Sequence, residues 1–275
     1  MRTLLTTTLL ALAFFCGAQP NCNLYKWQGD SSGYKACELY VATLHFYQGS
    51  RASQIALDSV LRICPTFDEA WRTKSIPYLK RGDFVTWKIL IDKATELNPK
   101  EHLGYRGWCR YQFLRDFEGA LQDMERLDSL KNGDDIGYSV NGDYHLNIAK
   151  ALCYKGLGQK EKALRTIEKQ LAQPGYTPGL YDYLHLAVLY LELKRYPEAI
   201  DGLDKQEKAC PGLAENFYYL ALAHRQSGDV EQARRYLTQA REQYLAGRHR
   251  DDPYDQPMDR IYLSDIDREM ARPDK

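Results

Sequence analysis

A small residue followed four positions later by a large aliphatic one recurs along this chain of 275 residues. The first column reads Ser53, Trp87, Ala120, Ala163, Ala199 and Ala233, with Trp87 the one bulky exception. The second reads Leu57, Ile91, Met124, Ile167, Leu203 and Leu237. Nine positions before each first-column residue stand Leu44, Tyr78, Tyr111, Tyr154, Tyr190 and His224. Successive spacings are 34, 33, 43, 36 and 34 residues. A period of that length marks a stack of like units, each burying its apolar face against the next.

Within a unit, apolar residues recur at helical steps, as in Leu184, Ala187, Val188 and Leu191, or Leu220, Ala221 and Ala223. Leu-Gly, Arg-Gly-Asp or Ser-Gly-Asp turns break the pattern at mid-unit, so each unit is a pair of helices. The small column lets the two helices approach, and the aliphatic and tyrosine columns fill the space between them. Pro65, Pro99 and Pro211 close three units, where proline's missing N–H is harmless.

Two segments follow a known family pattern closely. One runs from Asp68-Glu69-Ala70-Trp71 through Tyr78, Gly82-Asp83-Phe84 and Ala94 to Pro99. The other runs from Ala214-Glu215-Asn216-Phe217 through Leu220, Gly228-Asp229 and Ala233 to Ala240. On these residues the chain resembles the tetratricopeptide repeat (TPR) family over residues 34–247, as about six units of which the first and fourth are weakest. Ser53 and Trp87 depart from the family's alanine, Pro77 predicts a kink in a first helix, and residues 131–143 are an insertion that accounts for the 43-residue spacing. The resemblance implies an all-α, TPR-like α-solenoid, a right-handed superhelix of antiparallel helix pairs whose groove is lined mainly by the first helices. Met258, Ile261, Tyr262, Ile266 and Met270 predict a C-terminal capping helix over 257–271, preceded by a loop from Gly247 to Gln256. Residues 19–33 read as an irregular lead-in.

Residues 1–18 read as a secretory signal peptide: Arg2, an apolar run from Leu4 to Phe15, then Cys16-Gly17-Ala18, with cleavage expected after Ala18. The run is too short to cross ~30 Å of hydrocarbon. Phe14 and Phe15 disfavour lipid attachment at Cys16. The expected destination is periplasmic or extracellular, with no membrane span in the mature chain.

Six cysteines then remain: Cys22, Cys37, Cys64, Cys109, Cys153 and Cys210. No Cys-x-x-Cys or zinc-type spacing occurs among them. Cys37 and Cys64 fall near the start and end of one helix pair, which antiparallel packing brings together. A disulfide there is one expectation; a bridge involving Cys22, or buried thiols, are the others.

Lys+Arg and Asp+Glu both number 37, a balance that argues against a phosphate-backbone binder. No Gly-x-Ser-x-Gly, His-Glu-x-x-His, phosphate loop or dinucleotide fingerprint occurs, so neither catalysis nor a cofactor is indicated. The six histidines are spread almost one per unit, and Asp134, Asp135 and Asp143 do not match a calcium loop. No metal site is expected.

What remains is binding. Helical register assigns Arg72, Ile76, Lys80, Tyr105, Gln112, Phe113, Ile148, Lys155, Leu184, Val188, Tyr218, Leu222 and Arg225 to the groove. Aromatic and arginine groups among aliphatics suit a protein or peptide partner. Of 21 tyrosines, Tyr78, Tyr111, Tyr154 and Tyr190 belong to the packing column, and the others are expected to serve binding. The reading is a non-enzymatic scaffold or adaptor; the alternative is a carbohydrate or small-ligand binder using the same aromatic surface.

Overall fold

The computed structural model describes residues 20–273, so residues 1–18, read above as a signal peptide, lie outside the described residues. Among those described, every regular element is helical, and Tyr138 and His145 form a single isolated bridge. The chain divides into two compact units, one ending at Leu97 and one beginning at Asn98.

The first unit holds α1 (Asn23–Trp27), α2 (Ser31–Thr43), α3 (Arg51–Ile63), α4 (Asp68–Lys80) and α5 (Phe84–Leu97), with α2 packed on α3 and α4 on α5. Turn chemistry sets the boundaries. Asp30 and Ser50 cap α2 and α3 by accepting from the backbone N–H of Gly33 and Ser53, at 2.8 and 3.1 Å. Ala36, Cys37, Tyr40, Leu57, Val60, Leu61 and Phe67 pack into one core. Helix α4 runs on through the buried Pro77 to Lys80. Against that ring sits Gly49, at φ 78°, where a Cβ would lie 2.7 Å from the Pro77 Cβ. Only glycine fits there.

Cys37 is bridged to Cys22, not to Cys64, with the two Cα atoms 5.4 Å apart. The expected Cys37–Cys64 pairing is thus corrected. The lead-in carries the short helix α1, which brings Cys22 over the start of α2, and Cys64 is left as a buried thiol near the Thr66 hydroxyl.

The second unit comprises α6 (Pro99–Cys109), a π-helical turn (Arg110–Leu114), α7 (Phe117–Lys131), α8 (Leu146–Gly156) and α9 (Lys160–Leu171). After these come α10 (Asp182–Glu192), α11 (Tyr196–Ala209), α12 (Ala214–Gln226), α13 (Val230–Leu245) and α14 (Leu263–Met270). Helices α6 to α13 pair successively, first helix with second. All six members of the aliphatic column are buried, and so are all six of the small column, Trp87 included. Gly202 shows why small residues matter here: a Cβ on it would lie 3.0 Å from the Cβ of Ala187, so α10 and α11 touch almost backbone to backbone.

The tyrosine column adds bonds between successive repeats of the second unit. Tyr154 donates its hydroxyl proton to Glu125 and Tyr190 to Glu168, each at 2.6 Å. Each acceptor directly follows the aliphatic-column residue of the preceding repeat, so the contact itself recurs. Lys162 and Arg195 lie over those two rings at 4.1 and 4.6 Å. Leu44 departs from the column: it lies just past the end of α2 and is half exposed.

The insertion folds as a closed loop. His145 Nδ1 accepts from the N–H of Asn147 at the start of α8. Its Nε2 therefore carries the proton and donates to Asp135 at 2.6 Å.

Candidate partner-binding site

After α13 the chain does not go straight into a helix. Residues 247–262 run as an irregular segment across the first helices of the second unit, and α14 follows only at Leu263. The segment leaves the last repeat with the Arg248 carbonyl accepting from Ala214 N–H at 2.8 Å. At its far end Asp255 lies 3.5 Å from Arg115, beyond the π-helical turn. It then returns, and Asp259 reaches α8 and α10 together.

Asp259 is the best-satisfied group in this segment. Its carboxylate accepts from Lys155 Nζ at 2.5 Å and from His185 Nδ1 at 2.6 Å, and its backbone carbonyl accepts from the Tyr219 hydroxyl at 3.3 Å. Lys155 also touches Glu192 at 3.1 Å. Burial by itself pushes the Asp259 carboxyl up, but the Lys155 ammonium and the His185 ring outweigh it and hold it well below the usual carboxylate range. Burial lowers His185 despite the neighbouring Asp259, so the ring is neutral at pH 7. Nδ1 then carries the proton, and Nε2 accepts from the Tyr144 hydroxyl at 3.0 Å. In an open cleft a His–Asp pair of this kind is a general base. Here His185 is fully enclosed and both its nitrogens are engaged.

The chain of bonds continues through Arg250. Its guanidinium donates to the Tyr144 hydroxyl and to the Met258 carbonyl, each at 2.6 Å, and lies 4.2 Å from the centre of the Tyr181 ring. Its backbone N–H donates to Glu215 at 3.0 Å. Beyond the loop, Arg225 on α12 holds Glu269 of α14 at 2.8 Å. Three cations, Arg115 just past the π-helical turn and Lys155 and Arg225 on first helices, thus each meet an acid of the C-terminal segment.

Asp255 is held less well. Its Oδ2 is buried with no hydrogen-bond donor, and burial raises its carboxyl despite Arg115.

This arrangement sorts the residues assigned to the groove. Lys155 and Arg225 are on the first-helix face but already ion-paired to the chain's own acids. Tyr218 is half-buried against a cluster that contains Ile261 and Ile266, and Leu222 is partly covered. Gln112 edges a cleft of about 180 Å³ beside Tyr111, Tyr144 and Arg250, while Tyr105 and Phe113 are half-buried. Ile148, Leu184 and Val188 are corrections: all three are core residues. Leu184 and Val188 pack with Leu203, Leu213 and Leu220 between successive repeats, and Ile148 lies on a helix buried almost throughout its length. In the first unit, Arg72 pairs with Glu69 at 3.0 Å, Ile76 is half-buried, and the exposed Lys80 donates to Gln48 at 2.8 Å.

The signal for Asp259, His185 and Arg250 was weak in sequence. Their partners lie tens of residues away, 74 from His185 to Asp259 and 106 from Tyr144 to Arg250, outside any repeat period. The tyrosines expected to serve binding are in part structural too: Tyr40 and Tyr144 are buried. A second and larger cavity of about 610 Å³ lies between the insertion and α9, with Asp134 and Asp135 on one side and Lys162, Arg165 and Lys169 on the other. No helix among the described residues is long and apolar enough to cross a membrane.

A tetratricopeptide repeat family model matches residues 215–244, nearly all of α12 and α13. No curated protein sequence matches the chain. Among solved structures, Pseudomonas aeruginosa pilF aligns with a TM-score of 0.61 at 14% identity, over 86% of this chain and 99% of that one. PilW, a type IV pilus biogenesis factor, gives 0.57 at 15% identity, over 82% of this chain and 90% of its own. YrrB, described as a TPR protein with an unusual peptide-binding site, gives 0.53 at 14% identity, over 69% and 93%. At these identities the likeness is one of fold. The chain is a tetratricopeptide-repeat solenoid by fold, and in residues 215–244 it carries that repeat in its sequence as well.

Proposed function

We propose that this chain is a non-enzymatic, exported scaffold that binds a protein or peptide through the first-helix face of its repeats. One observation carries the reading: that face already holds an irregular peptide segment, the chain's own residues 247–262, by side-chain hydrogen bonds and ion pairs. A surface that grips irregular backbone in this way has the donors, acceptors and aromatic rings that peptide recognition uses. The fold likeness to YrrB, whose own description includes a peptide-binding site, supports the same reading.

Export is supported by residues 1–18 and by the Cys22–Cys37 bridge, since disulfides persist in oxidising compartments. Amino-terminal sequencing of exported material should begin at Gln19. The scaffold reading is tested by peptide-display selection on the full chain, with a glycan array run in parallel. Enriched peptides that no longer bind when Lys80→Glu and Ile76→Asp are introduced support it for the first unit. A glycan response with no peptide enriched at all would sink it.

A further inference from the structure

We propose that the first-helix face of residues 98–273 is a carboxylate-reading peptide site, held shut by the chain's own C-terminal segment, and that its partner is an acidic peptide that displaces that segment. The inference rests on the scaffold reading and deepens it by naming the seat and the ligand chemistry.

The seat is already built and already filled. Lys155 and His185 come from two successive first helices and converge on one carboxylate, that of Asp259, whose side chain is 6% exposed. Nothing in the helix pairs requires an acid at that point; the repeats complete their own packing through the small and aliphatic columns. What the acid satisfies is the ammonium of Lys155 and the N–H of His185. Arg115 and Arg225 extend the pattern at either side, each facing an acid of the same segment. Residues 247–262 hold four acids against three arginines, and the two acids that meet cations of this face are Asp255 and Asp259. A displacing peptide must therefore carry negative charge to match what it replaces.

The segment is also fastened unevenly, which gives displacement a place to begin. At Arg115 the Asp255 pair is 3.5 Å long and one buried carboxylate oxygen lacks a donor. At Lys155 and His185 both Asp259 oxygens are bonded. Release starts at the Asp255 turn and finishes at Asp259. An incoming acid then takes the Lys155–His185 seat, and no covalent step is involved.

While the segment is closed, the apparent affinity for any competing peptide falls by the fraction of molecules that are open. A fluorescent peptide with the sequence of residues 248–263 is the probe, titrated against the full-length chain. Asp259→Asn, which weakens closure without touching the seat, should bind the probe at least ten-fold more tightly than wild type. Adding Lys155→Ala to that variant should abolish the gain, and so should replacing the probe's own aspartate at position 259 by asparagine. Equal binding by wild type and a folded Asp259→Asn variant overturns the proposal, as does a gain that survives loss of Lys155.

Hydrogen exchange on the wild-type chain provides a test that needs no variant. Amides of 251–262 should exchange faster than those of α8 and α10, and exchange only on global unfolding overturns the proposal. Should the probe fail while display-selected peptides still bind, this seat is wrong and the scaffold reading stands; absence of every peptide sinks both.

Discussion

Lys155 and Asp259 are not equivalent when truncated, although they form one pair. Without Asp259, Lys155 keeps Glu192 at 3.1 Å. Without Lys155, the buried carboxylate keeps only the neutral His185 ring and loses its cation. Breaking a buried pair by removing one partner costs about 3–5 kcal/mol, and the lower end suits a site with a second donor. Lys155→Ala should therefore destabilise the chain by about 3 kcal/mol and Asp259→Asn by clearly less, read by urea denaturation. Losses that are equal and near zero would mean the pair does not form.

The pH dependence follows from His185, which faces Asp259 and Tyr144 and feels Arg250 and Lys155. Its folded pKa is depressed below the ordinary ~6.5. The unfolded chain binds the proton more readily, so this contribution is complete above that value and lost as pH falls below it. Asp255 and Glu215, both raised by burial, act in the opposite sense nearer the carboxylate range. Stability should thus decline from pH 7.5 to 5.5, and His185→Gln should flatten that slope. Lys155 was legible in sequence because helical register alone places it on the first-helix face. Its acid was not, since 104 residues separate the two and no period connects them.

Helix pairs are where sequence and structure agree most closely, because the signal and the packing share one period. Leu203 and Ile167 are buried for the same reason they are four residues beyond an alanine: that face of the second helix meets the first. Trp87 tests the rule by breaking it. It fills the small column with an indole that is fully buried, and its Nε1 finds no acceptor among the described residues. Trp87→Ala removes far more volume than its neighbours can refill and should cost about 3–5 kcal/mol. Trp87→Phe, which also removes the unsatisfied donor, should cost much less. Thermal melts of the two variants decide it, and matching losses would refute the packing role. The inter-repeat bond is smaller: Tyr154→Phe deletes only the hydroxyl that reaches Glu125 and should cost about 1 kcal/mol. The C-terminal helix lies within the expected 257–271 but begins only at Leu263, for a physical reason. Met258, Ile261 and Tyr262 have helical spacing, but residues 257–260 form a turn with Asp259 at φ 65°, the Met258 and Asp259 carbonyls are held by Arg250 and Tyr219, and α14 is capped only at Tyr262.

At the scale of the whole chain, the two units are stabilised differently. The first is stapled at its start by Cys22–Cys37, which closes a loop of 15 residues worth about 3 kcal/mol. The second has no disulfide among its described residues and is instead tied across its first helices by its C-terminal segment. Reduction should therefore raise hydrogen exchange in α2 and α3 and leave α10 to α13 unchanged. Exchange rising equally in both would contradict that division. A repeat stack ordinarily needs only contacts between neighbours, and such proteins can grow from any point. The segment that reaches back from Asp259 to Lys155 breaks that freedom, because it ties residues 104 apart. Residues 146–192, which supply Lys155 and His185, precede residues 250–262 along the chain, so a chain that emerges N-terminus first delivers the seat before its cover. Until that cover arrives Lys155 has Glu192 but not Asp259, so the order in which the chain emerges gives an acidic segment nearby its earliest opportunity to bind.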